Sequence, residues 1–429
     1  LMNAQEKLQL EYENGVYDYK YDMPTDVIFK ELYHENLKNV KRGVDTYWIG
    51  QPVRVGVGQR YNLNLTGGDN TFRWRTSLGY NNISGAMKGS DRNNFNGTID
   101  LSYTHKNLIF NNQTSITTNK AINSKYGSFA SYAQMNPYWP IYDDNGELIK
   151  SYVLPGVGVT SEIGNPLYNA TLNTYNNSNY TQIVNNFSIE WTIINGLKLR
   201  GQFGISKNFT KSDSFYPAEH TMFDSYDVSD AMKKGSYTYG TGESFSLNGN
   251  LTLSYSRTFA NKHTIYGGAD FYISENNGYS YSFSAIGFPN SNLDFIGSSL
   301  GYKDGSRPSS SESKSRSLGY TANVNYSYDN RYFVDGSFRA DGSSLFGGNN
   351  RFAPFWSAGI GWNIHHEDFM ASQDFVSNMK LRGSVGESGS QNFSSYQALS
   401  TYAYYTDQRY GVWNGAYLMG HGNPNLKWQ

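Results

Sequence analysis

The chain has 429 residues, 35 basic against 36 acidic side chains, no cysteine, 44 glycines and an aromatic content of 16%. Near-neutral charge without a basic stripe argues against a nucleic-acid partner, and a lack of cysteine excludes disulfide scaffolds, thiolate zinc sites and cysteine nucleophiles. No run approaches about eighteen apolar residues, so no membrane-spanning helix is expected, while the aromatics argue against disorder.

The first segment reads differently from the rest. Ala4-Gln5-Glu6-Lys7-Leu8-Gln9-Leu10 is helix-forming. Thr25 and Asp26, just after Pro24, are placed to cap a second helix carrying Ile28, Leu32, Tyr33 and Leu37. Residues 1–57 are therefore expected as a surface insertion with two short helices, leading into one continuous unit over 58–429. The opening Leu1-Met2-Asn3 shows no charged or apolar leader pattern.

From about residue 58 the hydrophobic period becomes two. Phe95, Ile99, Leu101 and Tyr103 alternate with Asn96, Thr98, Asp100 and Ser102. Phe187, Ile189, Trp191 and Ile193 alternate with Asn186, Ser188, Glu190 and Thr192. The stretches 244–256 and 318–328 repeat the pattern. One apolar and one polar face marks antiparallel strands, not the all-apolar strands of buried parallel sheets. Strands are expected near 58–66, 71–80, 94–104, 107–118, 181–194, 197–209, 243–258, 263–273, 315–328, 331–340, 352–364 and 379–388.

The links between these strands alternate in length. Gly67-Gly68-Asp69-Asn70, His105-Lys106, Asn195-Gly196, Ala260-Asn261-Lys262 and Asp329-Asn330 read as tight turns. Between them lie longer connections near 81–93, 119–180, 210–242, 274–314 and 341–351, and the link near 365–378 is longer than a tight turn. Short turns at one end and long loops at the other are the layout of a transmembrane β-barrel, with interfacial Tyr and Trp girdles and a wet lumen. A soluble β-sandwich also alternates, but the long strands and the unbroken hairpin–loop rhythm disfavour it.

Motifs for chemistry are scarce. Gly56-Val57-Gly58 lacks the third glycine and the following helix of a dinucleotide site. His365-His366-Glu367 lacks the one-turn histidine spacing of a zinc helix. Asp143-Asp144-Asn145-Gly146-Glu147 lacks the alternate-ligand spacing of a calcium loop and reads as a turn. No set of residues can be nominated as catalytic, so no enzyme, metal or cofactor is expected.

Phe338-Arg339-Ala340-Asp341-Gly342-Ser343-Ser344-Leu345-Phe346-Gly347, followed by Asn350-Arg351-Phe352 and the run to Trp362, resembles the "R-x-D-G-S-S-x-F-G … R … P-x-x-S-x-G-W" signature of SusC/RagA-type TonB-linked outer-membrane proteins of the Bacteroidota. Gly342 and Gly347 are expected to supply turn conformations. Leu345 departs from the arginine common there. Leu1-Met2-Asn3-Ala4-Gln5-Glu6 resembles the family's "L-M-N-A-x-E", and Val44-Asp45-Thr46-Tyr47-Trp48 its "D-T-x-W". Asn62 to Gly68 resembles an "N-L-S-x-x-G-G" hairpin, and Asn136-Pro137-Tyr138-Trp139-Pro140 a loop of one branch. Asn423-Pro424-Asn425-Leu426-Lys427-Trp428 resembles "N-P-x-L-K-W".

The resemblance implies an all-β, up-and-down antiparallel transmembrane barrel of which this chain holds about 12 of 22 strands. Signal peptide, plug, Ton box and final strands are expected outside it. It further implies active import of a large nutrient, an oligosaccharide or oligopeptide, across the outer membrane. A SusD-like surface lipoprotein would be the partner, and TonB would act through the plug. Tyr138, Trp139 and Tyr142 are the candidate substrate contacts, on a long loop held by a rigid scaffold. The rival reading is a passive or structural barrel such as an adhesin or secretion scaffold.

Overall fold

A strand with one apolar and one polar face needs a different environment on each side, and twelve such strands join edge to edge in this protein. The computed structural model describes all residues except 21–22, 156–159, 304–305, 348–349, 374, 391–395 and 427–429. The first strands are β1 (Val57–Gly68), β2 (Phe72–Ser84), β3 (Asp91–His105) and β4 (Leu108–Ile122). A long loop carries the small hairpin β5 (Ser151–Pro155) and β6 (Thr160–Gly164). Then follow β7 (Tyr175–Ile194), β8 (Leu197–Tyr216), β9 (Ser236–Phe259), β10 (His263–Ile286) and the two-residue β11 (Gly301–Tyr302). The wall continues through β12 (Ser309–Tyr328), β13 (Tyr332–Ser343), β14 (Phe352–Asn363) and β15 (Lys380–Glu387). A separate hairpin, β16 (Thr401–Tyr410) with β17 (Trp413–Gly420), comes last.

In the sheet the order is β1-β2-β3-β4-β7-β8-β9-β10-β12-β13-β14-β15, with β11 pairing the end of β10. Each wall strand lies antiparallel to the wall strand before it, and the long-loop hairpin stays apart from the wall. This is the expected meander, an open stretch of barrel wall. All twelve expected strands are present.

The turn ends match the sequence reading closely because their chemistry is local. Gly196 has φ +89°, and a Cβ there would meet Ser256 O at 2.4 Å. Asp329 and Asn330 both take left-handed backbone, with Arg331 N donating to Tyr328 O at 2.8 Å, the geometry of a type I′ hairpin. The loop ends extend much further than expected. β7 starts at Tyr175 instead of 181, β8 runs to Tyr216, β9 starts at Ser236 and β10 runs to Ile286. On β7 and β8 residues such as Asn177, Asn179 and Lys211 replace apolar ones beyond the band, so the alternation fades there, whereas Tyr279, Tyr281 and Phe283 still alternate with serines on β10.

Register sorts the side chains into two faces. Trp191, Leu199 and Leu253 stand in one cross-strand row, and Phe187 and Phe203 in another. Of these, Trp191, Phe187, Phe203 and Leu253 are exposed, as are Trp74, Leu78, Tyr80, Phe95 and Leu101 on the same face. Glu190, Arg200 and Thr252 form a row on the opposite, polar face. One group breaks the apolar band. Asn112 Nδ2 donates to Asn185 Oδ1 at 3.3 Å, and Asn185 Nδ2 donates to Asn112 Oδ1 at 3.1 Å and to Thr114 Oγ1 at 2.7 Å. These amides satisfy one another, which is the condition for polar groups to lie on an apolar face.

The leading segment forms α1 (Ala4–Glu13) and α2 (Met23–Lys41). Asn3 caps α1 through a capping box with Glu6. The second helix differs from expectation: it is 19 residues long and begins at Met23, before Thr25 and Asp26. Asp26 instead accepts from Tyr19 N at 3.0 Å and pairs with Lys30 at 2.6 Å. The helix pair packs on the long loop, which adds α3 (Phe129–Ala133) and α4 (Pro166–Thr171), around Leu8, Tyr17, Trp48, Tyr132, Tyr138 and Tyr152.

Candidate functional site

The polar face of the wall combines concavity with hydrogen-bonding side chains. A cavity of about 1170 Å³ runs along it across β1 to β10. Arg73, Arg75, Asp100, Gln113, Gln202 and Asn250 are among its lining side chains. They converge because the register places Arg75 opposite Asp100, Asp100 opposite Gln113, and Gln202 opposite Asn250. Gln113 Nε2 donates to Asp100 Oδ1 at 2.7 Å. Such a surface offers many exchangeable donors and acceptors. Among the described residues no group of three His, Asp or Glu side chains is placed to hold a metal ion.

The signature block sits on the same wall and works as a clamp. Arg339 Nε meets Asp341 Oδ2 at 2.5 Å, and the Tyr272 hydroxyl donates to Asp341 Oδ1 at 3.2 Å. The guanidinium also lies 5.7 Å from the Tyr272 ring centre. Asp341 is only 3% exposed. Gly319 makes this possible, since a Cβ there would lie 2.1 Å from the Tyr272 ring and 2.5 Å from Asp341. Ser344 N donates to Arg316 O and Arg316 N to Ser344 Oγ, each at 2.9 Å. Ser343 N donates to Arg351 O at 3.0 Å, and Phe346 is buried.

The two signature glycines act differently from expectation. Neither Gly342 nor Gly347 has a positive φ. Gly342 lies inside β13, where a Cβ would come within 2.6 Å of the Phe352 ring. A Cβ on Gly347 would lie 1.7 Å from Pro424 O, and Gly347 N donates to Leu426 O at 3.3 Å. Close approach, not turn conformation, is what requires glycine at both. Gly347 thus brings the Asp-Gly-Ser-Ser block against 423–426, with Lys427 and Trp428 of that second motif outside the described residues. Trp362, at the turn end, donates its indole N–H to Glu367 Oε1 at 2.8 Å, and Tyr332 donates its hydroxyl to the same oxygen at 2.7 Å. These two donors hold the Glu367 carboxyl below the usual carboxylate range.

A second convergence builds the loop assembly. Asp45 Oδ1 accepts from Ala4 N at 2.9 Å, Thr46 N donates to Pro137 O at 2.7 Å, and Trp48 Nε1 donates to Asn136 O at 2.9 Å. Tyr138 donates to Glu11 at 2.8 Å, and Trp139 stacks on Tyr152 at 4.7 Å. Of the three candidate substrate contacts, Tyr138 is 1% exposed, Trp139 3% and Tyr142 56%. Tyr138 and Trp139 therefore pack inside the loop, and Tyr142 alone presents its ring. Burial pushes the Tyr138 and Tyr17 phenols up, Tyr17 to about 12. Asp143 Oδ1 accepts from Asn145 N and Glu147 N, each at 2.9 Å, which makes 143–147 a turn closed by its own side chain.

No family model matches the chain. TonB-dependent receptor P39 of Formosa agariphila is 25% identical over 379 residues, covering 88% of this chain and 35% of that protein. TonB-dependent receptor SusC of Bacteroides thetaiotaomicron is 23% identical over 432 residues, covering 93% of this chain and 41% of that protein. Among solved structures, the RagAB peptide transporter superposes with a TM-score of 0.77 at 20% identity, covering 100% of this chain and 49% of that one. The chain thus spans less than half the length of these relatives. Similarity along nearly the whole of its own length joins the meander, the two-faced strands and the signature clamp: the chain is an open barrel wall similar to part of the TonB-dependent receptors P39 and SusC, with the fold of the RagAB transporter.

Proposed function

We propose that the protein to which this wall belongs imports a large nutrient, an oligosaccharide or oligopeptide, across the outer membrane. The observation that carries this reading is the two-faced wall: a continuous exposed apolar face opposite a concave polar one. In water the apolar face would be an aggregation hazard, whereas in a bilayer it meets hydrocarbon and the polar face encloses a wet conduit. The relatives named TonB-dependent receptor add energy coupling through TonB, and the SusC/RagA-type signature of the sequence implies a SusD-like surface lipoprotein as partner. Tyr142 is the candidate contact left on the long loop.

Uptake of labelled glycan and peptide pools by cells expressing the full protein and its partner tests this. Uptake is expected to vanish with the gene deleted and with an uncoupler of the proton gradient. Uptake indifferent to the uncoupler would select the passive barrel instead.

A further inference from the structure

Charge is distributed unevenly over the loop-end halves of β7, β8, β9, β10 and β12. Here the pleat has two sets of positions, and the polar-face set is 176–186 on β7, 204–214 on β8, 238–248 on β9, 274–284 on β10 and 309–317 on β12, taking every second residue. Every one of these is Ser, Thr, Asn, Gln or Gly, apart from Tyr180 and Val184. The charged residues of the same stretches all fall on the opposite face. Lys207 pairs there with Glu243, Lys211 with Asp213 at 3.6 Å, and Glu275 with Arg316 at 2.7 Å and Lys314 at 3.3 Å. Glu312, opposite Tyr279, completes the set. The neutral field ends at Arg92 on β3, at the Arg339–Asp341 pair on β13 and, toward the turn ends, at the row of Glu190, Arg200 and Asp270.

The geometry points to a binding and conduction surface for an uncharged, polyhydroxylated chain, a neutral oligosaccharide; this rests on the importer reading above. Each hydroxyl and amide of such a wall both donates and accepts, which matches a cargo whose groups do the same. Ser246 Oγ already donates to Asn276 Oδ1 at 2.6 Å, and Ser280 and Ser311 share a hydrogen at 2.8 Å, so the wall forms networks that a sugar hydroxyl can enter by exchange. Many weak sites allow a chain to bind and still move on. A peptide presents charged termini and apolar side chains, yet this field supplies no counter-charge, and its apolar side chains are limited to Val184 and Tyr180. Tyr180 is 38% exposed and shares a row with Thr210, Gly242 and Ser280, a flat setting for the apolar face of a sugar ring.

The test uses cells expressing the full protein and its partner, offered a neutral glucan oligosaccharide, a uronate-containing oligosaccharide of equal length and a mixed peptide pool. Uncoupler-sensitive uptake of the neutral chain is expected to exceed that of either other pool by about tenfold. The double substitution Ser246→Lys with Ser311→Lys is expected to lower the neutral-to-uronate ratio by about fivefold or more, as cations on the conduit attract the anion. Glu312→Lys, on the opposite face, should leave that ratio unchanged. Energised uptake of peptides or uronates equal to the neutral chain would overturn the inference and leave the importer reading standing. Loss of all energised uptake would overturn both.

Discussion

At the scale of single residues, the signature acid is the best-defined object in the wall. Asp341 receives both the Arg339 guanidinium and the Tyr272 hydroxyl while nearly buried. Asp341→Ala leaves both donors without their acceptor, at a cost of about 1–3 kcal/mol, limited because Arg339 is half-exposed and screened. Urea titration of detergent-refolded full-length protein, followed by its heat-modifiable gel mobility, would show the midpoint fall; an unchanged midpoint would remove the clamp from the account. His220 gives a pH prediction. Its Nδ1 accepts from Met222 N at 3.1 Å, its ring lies edge-on to Tyr216 at 5.2 Å, and burial depresses its pKa to about 4 against the opposing pull of Asp224. A depressed histidine pKa means the unfolded loop binds the proton more readily. The cap's contribution is then full above about pH 6.5 and is lost as pH falls toward 4. An imidazole titration by NMR should find a midpoint near 4, and one near the free-histidine value would contradict the buried cap.

At the scale of elements, the amide cluster joining β4 to β7 is the informative exception to the apolar band. Asn185→Leu strands the Asn112 amide against hydrocarbon and should cost about 1–3 kcal/mol. The double change Asn112→Leu with Asn185→Leu removes both amides and should cost less than the sum of the single changes, because only the Thr114 hydroxyl is left without its partners. A double-mutant cycle on refolding yield in detergent measures this, and additive losses would mean that the pair is not coupled. The hairpin ends were legible in the sequence because residues such as Asp329 and Asn330 encode left-handed turns by themselves. β5, β6, β11, β16 and β17 were not. They are short or irregular, and β16 pairs β17 with register shifts around Tyr402 and Tyr404, so no clean alternation announces them. The fate of Tyr138 and Trp139 was equally hidden, because it is set by Glu11, Thr46 and Tyr152, up to 127 residues away in the chain.

At the scale of the whole molecule, the wall is defined by what each face touches. Leu251 stands on the exposed apolar face, and its neighbour Asn250 lines the polar cavity. Leu251→Lys should cost about 2–4 kcal/mol of folding into a bilayer, whereas Asn250→Lys should cost little, because a charge at the lipid face loses water and one in the lumen keeps it. Refolding both variants into vesicles and comparing the folded fractions checks this, and equal penalties would mean that the faces have been reversed. The sequence by itself determined the twelve wall strands, the tight turns and the two-faced character, since these follow from pleat geometry and nearest-neighbour backbone preferences. Only the tertiary structure decided that the strands outrun the apolar band, that the leading helices lock onto the long loop and that the signature glycines serve close approach. It alone also showed that the charges of the upper wall gather on one face. Each of these depends on register between strands brought together by folding, and no local preference in the chain specifies it.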